Sequence, residues 1–281
     1  MAMRLIFQLL ILIFIAACNN PSILSPRTAQ DSPGKAVQFS YDSRGGTVEG
    51  FFSRPECEGR FPLIVLLHGH SWFRTGAKQI VPVAEEFSKE LCYATLAVSL
   101  PGYGLTHVPG SGTDTESVTE VILDGIANIK GLPWVDGTKV MLYGFSRGAS
   151  FAAIIAAKIP RLQSIILHSG AYDITRLYRD TSSPWLRRLL NPNGEAEPFF
   201  FDAVAVASDW KAPTLILHGG KDKVIPPSQA VMLHNQLEAS RKPHRLVIFP
   251  DSGHRLPPSG VKNEVVSFLK QHVGSNCLND Y

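Results

Sequence analysis

The chain has 281 residues, of which 44% are hydrophobic and 18% are charged, with a formal net charge of +3. This hydrophobic content excludes an intrinsically disordered protein. No block of five like charges occurs, and nucleic acid is therefore disfavoured as a partner, because phosphate binding needs clustered positive charge. The length is enough for one large hydrophobic core.

The N-terminal segment predicts export. Arg4 precedes a run from Leu5 to Ala17 that is apolar except for Gln8. This run is shorter than the ~20 residues of a membrane-spanning helix but has the length of a signal-peptide apolar region. Small residues directly before Cys18 resemble the bacterial lipoprotein signal, in which the cysteine is lipidated and becomes the new N-terminus. We expect a signal peptide over residues 1–17 and a lipid anchor on Cys18, on the periplasmic or cell-surface face of a bacterial membrane. The alternative is an ordinary secretory signal cut near Ala17.

Residues 18–35 follow as a proline- and serine-containing segment without an apolar period, which predicts a flexible tether. Strand-length apolar runs then alternate with helical patterns through residues 36–273. The predicted strands are 36–41, 47–52, 63–67, 95–99, 140–143, 164–168, 214–218 and 245–249. The predicted helices are 79–91, 117–130, 147–158, 228–240 and 261–273. An antiparallel hairpin followed by repeated strand–helix units predicts an α/β protein with a doubly wound, mostly parallel eight-stranded sheet. Residues 274–281 read as a polar tail.

One long interval, about residues 172–210, breaks this alternation and is too long for a plain loop. We interpret it as a small cap insertion. Its four arginines favour either an acidic substrate or a solvated basic face: Arg176, Arg179, Arg187 and Arg188. Aromatic residues in and near the cap are candidates for an apolar acyl pocket or for a small core of the cap itself: Trp72, Phe73, Trp185 and Phe199 to Phe201.

The strongest catalytic motif is Gly144-Phe145-Ser146-Arg147-Gly148. It lies between a predicted strand and a predicted helix, which is the context of a Gly-x-Ser-x-Gly nucleophile elbow. The tight turn leaves no room for side chains at the two glycines and lifts the serine hydroxyl above the sheet, at a helix N-terminus that favours a developing anion. Ser146 is therefore the predicted nucleophile.

A serine nucleophile needs a base and an orienting carboxylate. His254 follows the last predicted strand, and Asp222 follows the preceding one, so both lie at the sheet edge that carries Ser146. Asp173 is the alternative acid, because it follows the strand 164–168. Asp251 is expected to shape the histidine loop.

The oxyanion of the reaction needs two preorganised donors. We expect the backbone N–H groups of Arg147, directly after the nucleophile, and of His70, in the loop after the strand 63–67. His68 and His218 are interpreted as packed structural histidines. No metal-binding pattern of histidines or cysteines occurs, so neither a metal nor another cofactor is predicted.

These residues resemble the α/β-hydrolase superfamily over about residues 36–273. Residues 207–254 look most like the catalytic domain of prolyl-oligopeptidase-type serine peptidases and their dienelactone-hydrolase-like relatives. The motifs that carry the likeness are Lys211-Ala212-Pro213-Thr214, His218-Gly219 with Asp222, Val224-Ile225-Pro226 and Asp251-Ser252-Gly253-His254. Two features depart from the peptidases: few residues precede the first strand, where those proteins usually carry a propeller, and Ala149 follows Gly148 where they usually have glycine.

In this fold the strands that follow Cys57 and Cys92 are neighbours, so a disulfide between these two cysteines is expected. An exported protein lies in an oxidising compartment, which favours such a bridge. The alternative is a pair of buried free thiols. Cys277, in the polar tail, is expected to be unpaired.

Three functions remain open. The first is a serine hydrolase that cleaves carboxylic esters of small molecules through an acyl-enzyme. The second is a serine peptidase or amidase acting on small peptides. The third, from another class, is a lipid-anchored binding protein with an inactive site.

Overall fold

The computed structural model describes residues 32–109, 114–159, 161–195 and 202–273. The predicted signal peptide, Cys18, most of the tether, Phe199 to Phe201, Cys277 and the polar tail lie outside the described residues. None of the helices in these ranges has the length and apolarity required to cross a membrane.

The sheet has eight strands in the order β1-β2-β4-β3-β5-β6-β7-β8. Their bounds are β1 Val37–Ser43, β2 Gly46–Ser53, β3 Phe61–Leu67, β4 Ala94–Val98, β5 Val135–Phe145, β6 Leu162–His168, β7 Thr214–Gly219 and β8 His244–Phe249. Strands β3 to β8 run parallel to one another, whereas β2 is antiparallel to both of its neighbours. The predicted fold class is confirmed.

Helices cover both faces of this sheet, which explains why its central strands are apolar throughout. The helices are α1 Val81–Leu91, α2 Thr115–Ile129, α3 Arg147–Ile155, α4 Ile174–Asp180, α5 Pro184–Leu190, α6 Ala203–Val206, α7 Ser228–Ala239 and α8 Pro258–His272. In β3, Leu63, Val65 and Leu67 pack into the core on the side of α2, α3 and α7. The alternate residues Ile64 and Leu66 pack towards α1 and α8.

The interval 172–210 contains the three short helices α4, α5 and α6. Each begins at a residue whose side chain accepts a backbone N–H bond: Asp173, Ser183 and Asp202. Such caps stabilise short helices whose backbone donors would otherwise lack partners. Leu177 of α4 and Leu186 of α5 form a small separate core with Ala171 and Ile225, which anchors the cap above the sheet edge.

Strand β5 differs most from its predicted bounds, because it begins at Val135 instead of Val140. The polar segment Asp136–Lys139 interrupts the apolar pattern, yet Phe61 and Pro62 of β3 pair with Val135 and Asp136 before the register shifts. Helix α8 begins earlier than predicted, at Pro258, because proline is well tolerated in a first helical turn.

The Sγ atoms of Cys57 and Cys92 lie 2.9 Å apart, close to the N-terminal ends of the paired strands β3 and β4. The disulfide stays a prediction. In denatured, unreduced protein we expect one thiol, that of Cys277, to react with a thiol reagent once Cys18 is lipidated. A bridge would constrain the unfolded chain and add roughly 2–4 kcal/mol to the free energy of unfolding. A count of three reactive thiols in the mature protein would exclude it.

Candidate active site

Ser146 occupies the turn between β5 and α3 with φ 53° and ψ −118°. A non-glycine residue rarely adopts positive φ, and such strain persists only where surrounding contacts enforce it. Here the N–H of Ser146 donates to the carbonyl of His168 at 2.8 Å. A side chain at Gly144 would approach the Gly148 carbonyl oxygen to 2.4 Å, and one at Gly148 would approach that of Leu67 to 2.1 Å. Both glycines are thus needed for the tight turn.

Replacing Gly148 with alanine is expected to destabilise the protein, because the added methyl group would meet backbone atoms of β3 that cannot rotate away. The expected loss in the free energy of unfolding is about 2–3 kcal/mol, measured by denaturant titration. Gly131→Ala is the matched control, because no atom lies within 4 Å of a side chain placed there. Equal stability of the two variants would contradict this account of the elbow.

Two loops at the same edge of the sheet bring His254 and Asp222 to the serine. His254 follows β8, and its Nε2 lies 2.9 Å from Ser146 Oγ. Its Nδ1 lies 2.7 Å from Asp222 Oδ2, in the loop after β7. A carboxylate can only accept, so Nδ1 carries the hydrogen and Nε2 is left to accept the serine proton. The three residues predicted from the sequence therefore form one continuous hydrogen-bonded chain.

The surroundings of Asp222 keep it ionised. Its Oδ1 accepts the N–H groups of Val224 at 2.8 Å and Ile225 at 3.0 Å. His218 Nε2 lies 3.4 Å from Oδ2, and both side chains are fully buried. Burial raises the pKa of Asp222, but the bonds from His218, His254 and Ile225 lower it more, so this pKa lies well below its ordinary value. The carboxylate can therefore stabilise a positive charge on His254 throughout the neutral range.

The alternative acid, Asp173, lies elsewhere. It is the N-cap of α4, where its side chain accepts the N–H of Arg176 at 2.7 Å, and no contact joins it to His254. Asp251 forms an ion pair with Lys221 at 2.7 Å, which links the loop of the histidine to the loop of the acid. The geometry favours Asp222.

The predicted oxyanion donors belong to segments that adjoin Ser146. A side chain at Gly69 would meet the Phe145 ring at 2.9 Å and Ser146 Cβ at 3.2 Å, so the loop after β3 touches the elbow. His70 and Arg147 both line the cavity that contains Ser146. The roles of their N–H groups as donors stay a prediction.

Tyr103 joins these two residues and was not anticipated from the sequence. Its hydroxyl lies 2.6 Å from His70 Nδ1 and 3.4 Å from a guanidinium nitrogen of Arg147. Arginine can only donate, so the tyrosine proton points to His70. The sequence offered one sign of this role: Tyr103 lies in the turn after the predicted strand 95–99, which ends at the same sheet edge as Ser146.

Buried histidines lie near the hydrogen-bonded chain of Ser146, His254 and Asp222. His68 accepts the N–H of Leu100 at 3.0 Å, and Nδ1 of His168 lies 2.9 Å from the Tyr143 hydroxyl. Burial lowers the pKa of His68 to about 4 and that of His168 to about 3. Both are therefore neutral in the folded protein at pH 7, in agreement with a structural role for His68.

These shifts predict acid destabilisation. An unfolded histidine binds its proton below pH ~6.5, whereas folded His68 and His168 bind theirs only near their lowered pKa values. Their contribution to the free energy of unfolding is therefore fully present above pH ~6.5 and is lost as the pH drops towards 4. Between these pH values, the free energy of unfolding of His168→Gln is expected to fall less steeply with falling pH than that of the unchanged protein, by up to about 1.4 kcal/mol per pH unit. Denaturant titrations between pH 7.5 and 4.5 measure this. Parallel curves for the two proteins would contradict the prediction.

The hydrogen-bonded chain of Ser146, His254 and Asp222 opens into a cavity of about 980 Å³ between the sheet edge and the cap. The cap supplies much of an apolar wall, and the lining includes Phe151, Ile154, Leu177, Trp185, Leu186 and Leu190. Trp72 also lines it, whereas Phe73, the neighbouring candidate for the pocket, does not and is exposed to solvent. Arg176 and Arg179 both bond the Asp180 carboxylate at the surface, which favours the solvated basic face over an acidic substrate. In the described ranges no cluster of metal-ligating side chains occurs.

Two family profiles match the chain. That of the prolyl oligopeptidase family covers residues 116–276, and that of the FrsA-like esterases covers residues 26–173. The esterase FrsA of Escherichia fergusonii is 27% identical over 139 residues, which are 49% of this chain and 32% of that protein. The matched region thus spans about a third of this relative.

Solved structures share the fold. The acylaminoacyl peptidase of Pyrococcus horikoshii superposes with a TM-score of 0.69 at 19% identity, over 86% of this chain and 42% of that one. An esterase of Pyrococcus furiosus superposes with a TM-score of 0.68 at 17% identity, over 89% of this chain and 95% of that one. The same architecture therefore occurs in an esterase of similar length and in part of a longer peptidase.

Proposed function

Because the chain belongs to the prolyl oligopeptidase family and, over its N-terminal half, to the FrsA-like esterases, we propose that it is a serine hydrolase that cleaves carboxylic esters of small molecules. The observation that carries this proposal is the hydrogen-bonded chain Ser146–His254–Asp222, which opens into a largely apolar cavity.

In the acylation step, Ser146 Oγ attacks the carbonyl carbon of the ester while His254 Nε2 takes the hydroxyl proton. The imidazolium that forms is stabilised by Asp222, and the tetrahedral oxyanion accepts from the N–H groups of Arg147 and His70. The intermediate then collapses, and His254 returns the proton to the leaving alkoxide. An alcohol departs and the acyl group remains on Ser146.

In the deacylation step, His254 takes a proton from water, and the resulting hydroxide attacks the acyl carbon. The second tetrahedral intermediate releases the carboxylic acid and restores the serine hydroxyl. Most of the cap residues that line the cavity are aliphatic or aromatic, among them Leu177, Trp185 and Leu186, so this wall can bury the acyl chain.

A serine peptidase or amidase is the second candidate, because the prolyl oligopeptidase profile covers Ser146, Asp222 and His254. Both reactions use the same acyl-enzyme, so the assay must compare leaving groups. A panel of acyl esters and aminoacyl amides with matched acyl groups separates them: we expect kcat/KM to be higher for the esters. A consistent preference for amides would overturn the esterase proposal.

A fluorophosphonate probe distinguishes an enzyme from an inactive binding protein. The proposal expects labelling of the folded protein and its loss in Ser146→Ala. Folded protein that takes up no label would favour the binding protein.

We also propose that the mature protein begins at lipidated Cys18 and is held on a bacterial membrane. The small residues before Cys18, after an apolar run of signal-peptide length, support this. Cys18→Ser should block processing or release the protein from the membrane fraction. If the variant is processed normally and still fractionates with membranes, this proposal is wrong.

A further inference from the structure

Four large apolar side chains are exposed beside the mouth of the catalytic cavity. Trp72 is 72% exposed, Phe73 93%, Leu105 63% and Trp185 40%. We call these residues the mouth patch. Elsewhere in the described ranges, the exposed large hydrophobic residues are Val231 of α7 and Ile248 of β8.

The mouth patch is built from three segments of the chain. The rings of Trp72, after β3, and Trp185, in α5, meet edge to face with centroids 5.7 Å apart. Phe73 is the next residue along the chain. The loop that carries Leu105 is tied to the same loop, because the Gly104 N–H donates to the Arg74 carbonyl at 2.7 Å. Trp72 and Trp185 also line the cavity, so the patch borders its opening.

Exposed cations flank the mouth patch along the chain. Arg74 and Lys78 follow Phe73, and Arg188 lies three residues after Trp185 in α5. Aromatic side chains insert at the headgroup level of a bilayer, and neighbouring Lys or Arg side chains strengthen binding to anionic lipids. Four side chains supply a few hundred Å² of apolar surface, less than the ~800 Å² per partner of a stable protein interface.

We propose that the mouth patch docks on an anionic lipid surface and places the opening of the catalytic cavity at the headgroup level. The rings enter the interface, and the flanking cations contact lipid phosphates. The docking itself is independent of the proposed activity and of lipidation at Cys18. Its consequence for substrates, that esters partitioned into the membrane reach Ser146 directly, rests on the proposed function.

The tryptophans of the chain provide the readout. Trp134 and Trp210 are buried, so Trp72 and Trp185 are the two that a lipid can reach. The full chain is mixed with vesicles of phosphatidylcholine and phosphatidylglycerol that contain brominated phosphatidylcholine, which quenches only tryptophans in contact with it. We expect partial quenching, weaker on vesicles of phosphatidylcholine alone because the flanking cations lose their partners.

The double variant Phe73→Ser/Leu105→Ser is expected to need about ten times more lipid for half-maximal quenching, because two side chains that insert are lost. The matched control is Val231→Ser/Ile248→Ser, which removes exposed apolar side chains outside the mouth patch and should quench as the unchanged protein does. Quenching of tryptophan reports on the patch itself, whatever holds the chain to the vesicle.

Absence of quenching in the unchanged protein, or equal quenching in both double variants, overturns the proposal. Sedimentation velocity tests the other occupant. If the protein forms a dimer that Phe73→Ser/Leu105→Ser abolishes, and quenching is absent, the patch binds a second copy and the proposal is overturned. Hydrolysis of a water-soluble ester is measured in parallel. Quenching without hydrolysis would refute the proposed function and leave the docking surface standing.

Discussion

Ser146→Ala is expected to reduce kcat for a soluble ester by roughly 10⁴–10⁶-fold, because no other group in the elbow can form the acyl-enzyme. Residual activity would come from the oxyanion donors and from binding alone. The measurement is steady-state hydrolysis of an acyl ester, with circular dichroism as the check that the fold is retained.

The double variant Ser146→Ala/His254→Ala provides the control for this prediction. The serine hydroxyl and Nε2 of the histidine are bonded at 2.9 Å and work as one unit, so the second change should add little to the first. Multiplicative losses would indicate that His254 acts on another step. Wild-type turnover by Ser146→Ala would show that the nucleophile is a residue outside the elbow.

Asp222→Asn is expected to lower kcat by about 10³–10⁴-fold while the protein stays folded. The amide oxygen can still accept the Val224 and Ile225 N–H groups that Oδ1 accepts now, so the loop keeps its shape. The amide nitrogen would donate to His254 Nδ1 and force the hydrogen onto Nε2, where it blocks transfer from the serine. Steady-state kinetics and thermal unfolding measure the two effects separately.

Asp173→Asn is the matched control, since it makes the same chemical change at the other candidate acid. Asparagine caps helices as well as aspartate does, so α4 should be preserved and turnover should remain close to the unchanged rate. If Asp173→Asn is the damaging change and Asp222→Asn is mild, the catalytic acid is Asp173.

The strand–turn–helix geometry around Ser146 was predictable because its signal is local. A strand, a tight turn with two small residues and a helix lie within a short stretch around Ser146, and the steric requirement at Gly144 and Gly148 acts between immediate neighbours and β3. The positions of Asp222 and His254 followed from a topological rule, since parallel strands end at one sheet edge. Knowledge of strand order was enough to bring the three residues to the same side of the molecule.

Other features depended on contacts between residues far apart in the chain. The link from Tyr103 to His70 and Arg147 joins two loops and the first residue of α3. The extension of β5 across the polar segment Asp136–Lys139 is set by pairing with β3. Hydrophobicity alone did not separate Trp72, which lines the cavity, from Phe73, which faces solvent, because neighbouring aromatics in a loop have no periodicity that assigns them a side.

The sequence by itself thus determined the fold class, the elbow at Ser146 and the residues able to complete its hydrogen-bonded chain. These depend on backbone sterics and on apolar periodicity, which act over a few residues. Only the tertiary structure decided between Asp222 and Asp173 as the partner of His254, and it alone showed the cavity under the cap and the mouth patch at its opening. Those outcomes depend on distances of a few ångströms between separate elements, which are set when the whole core packs.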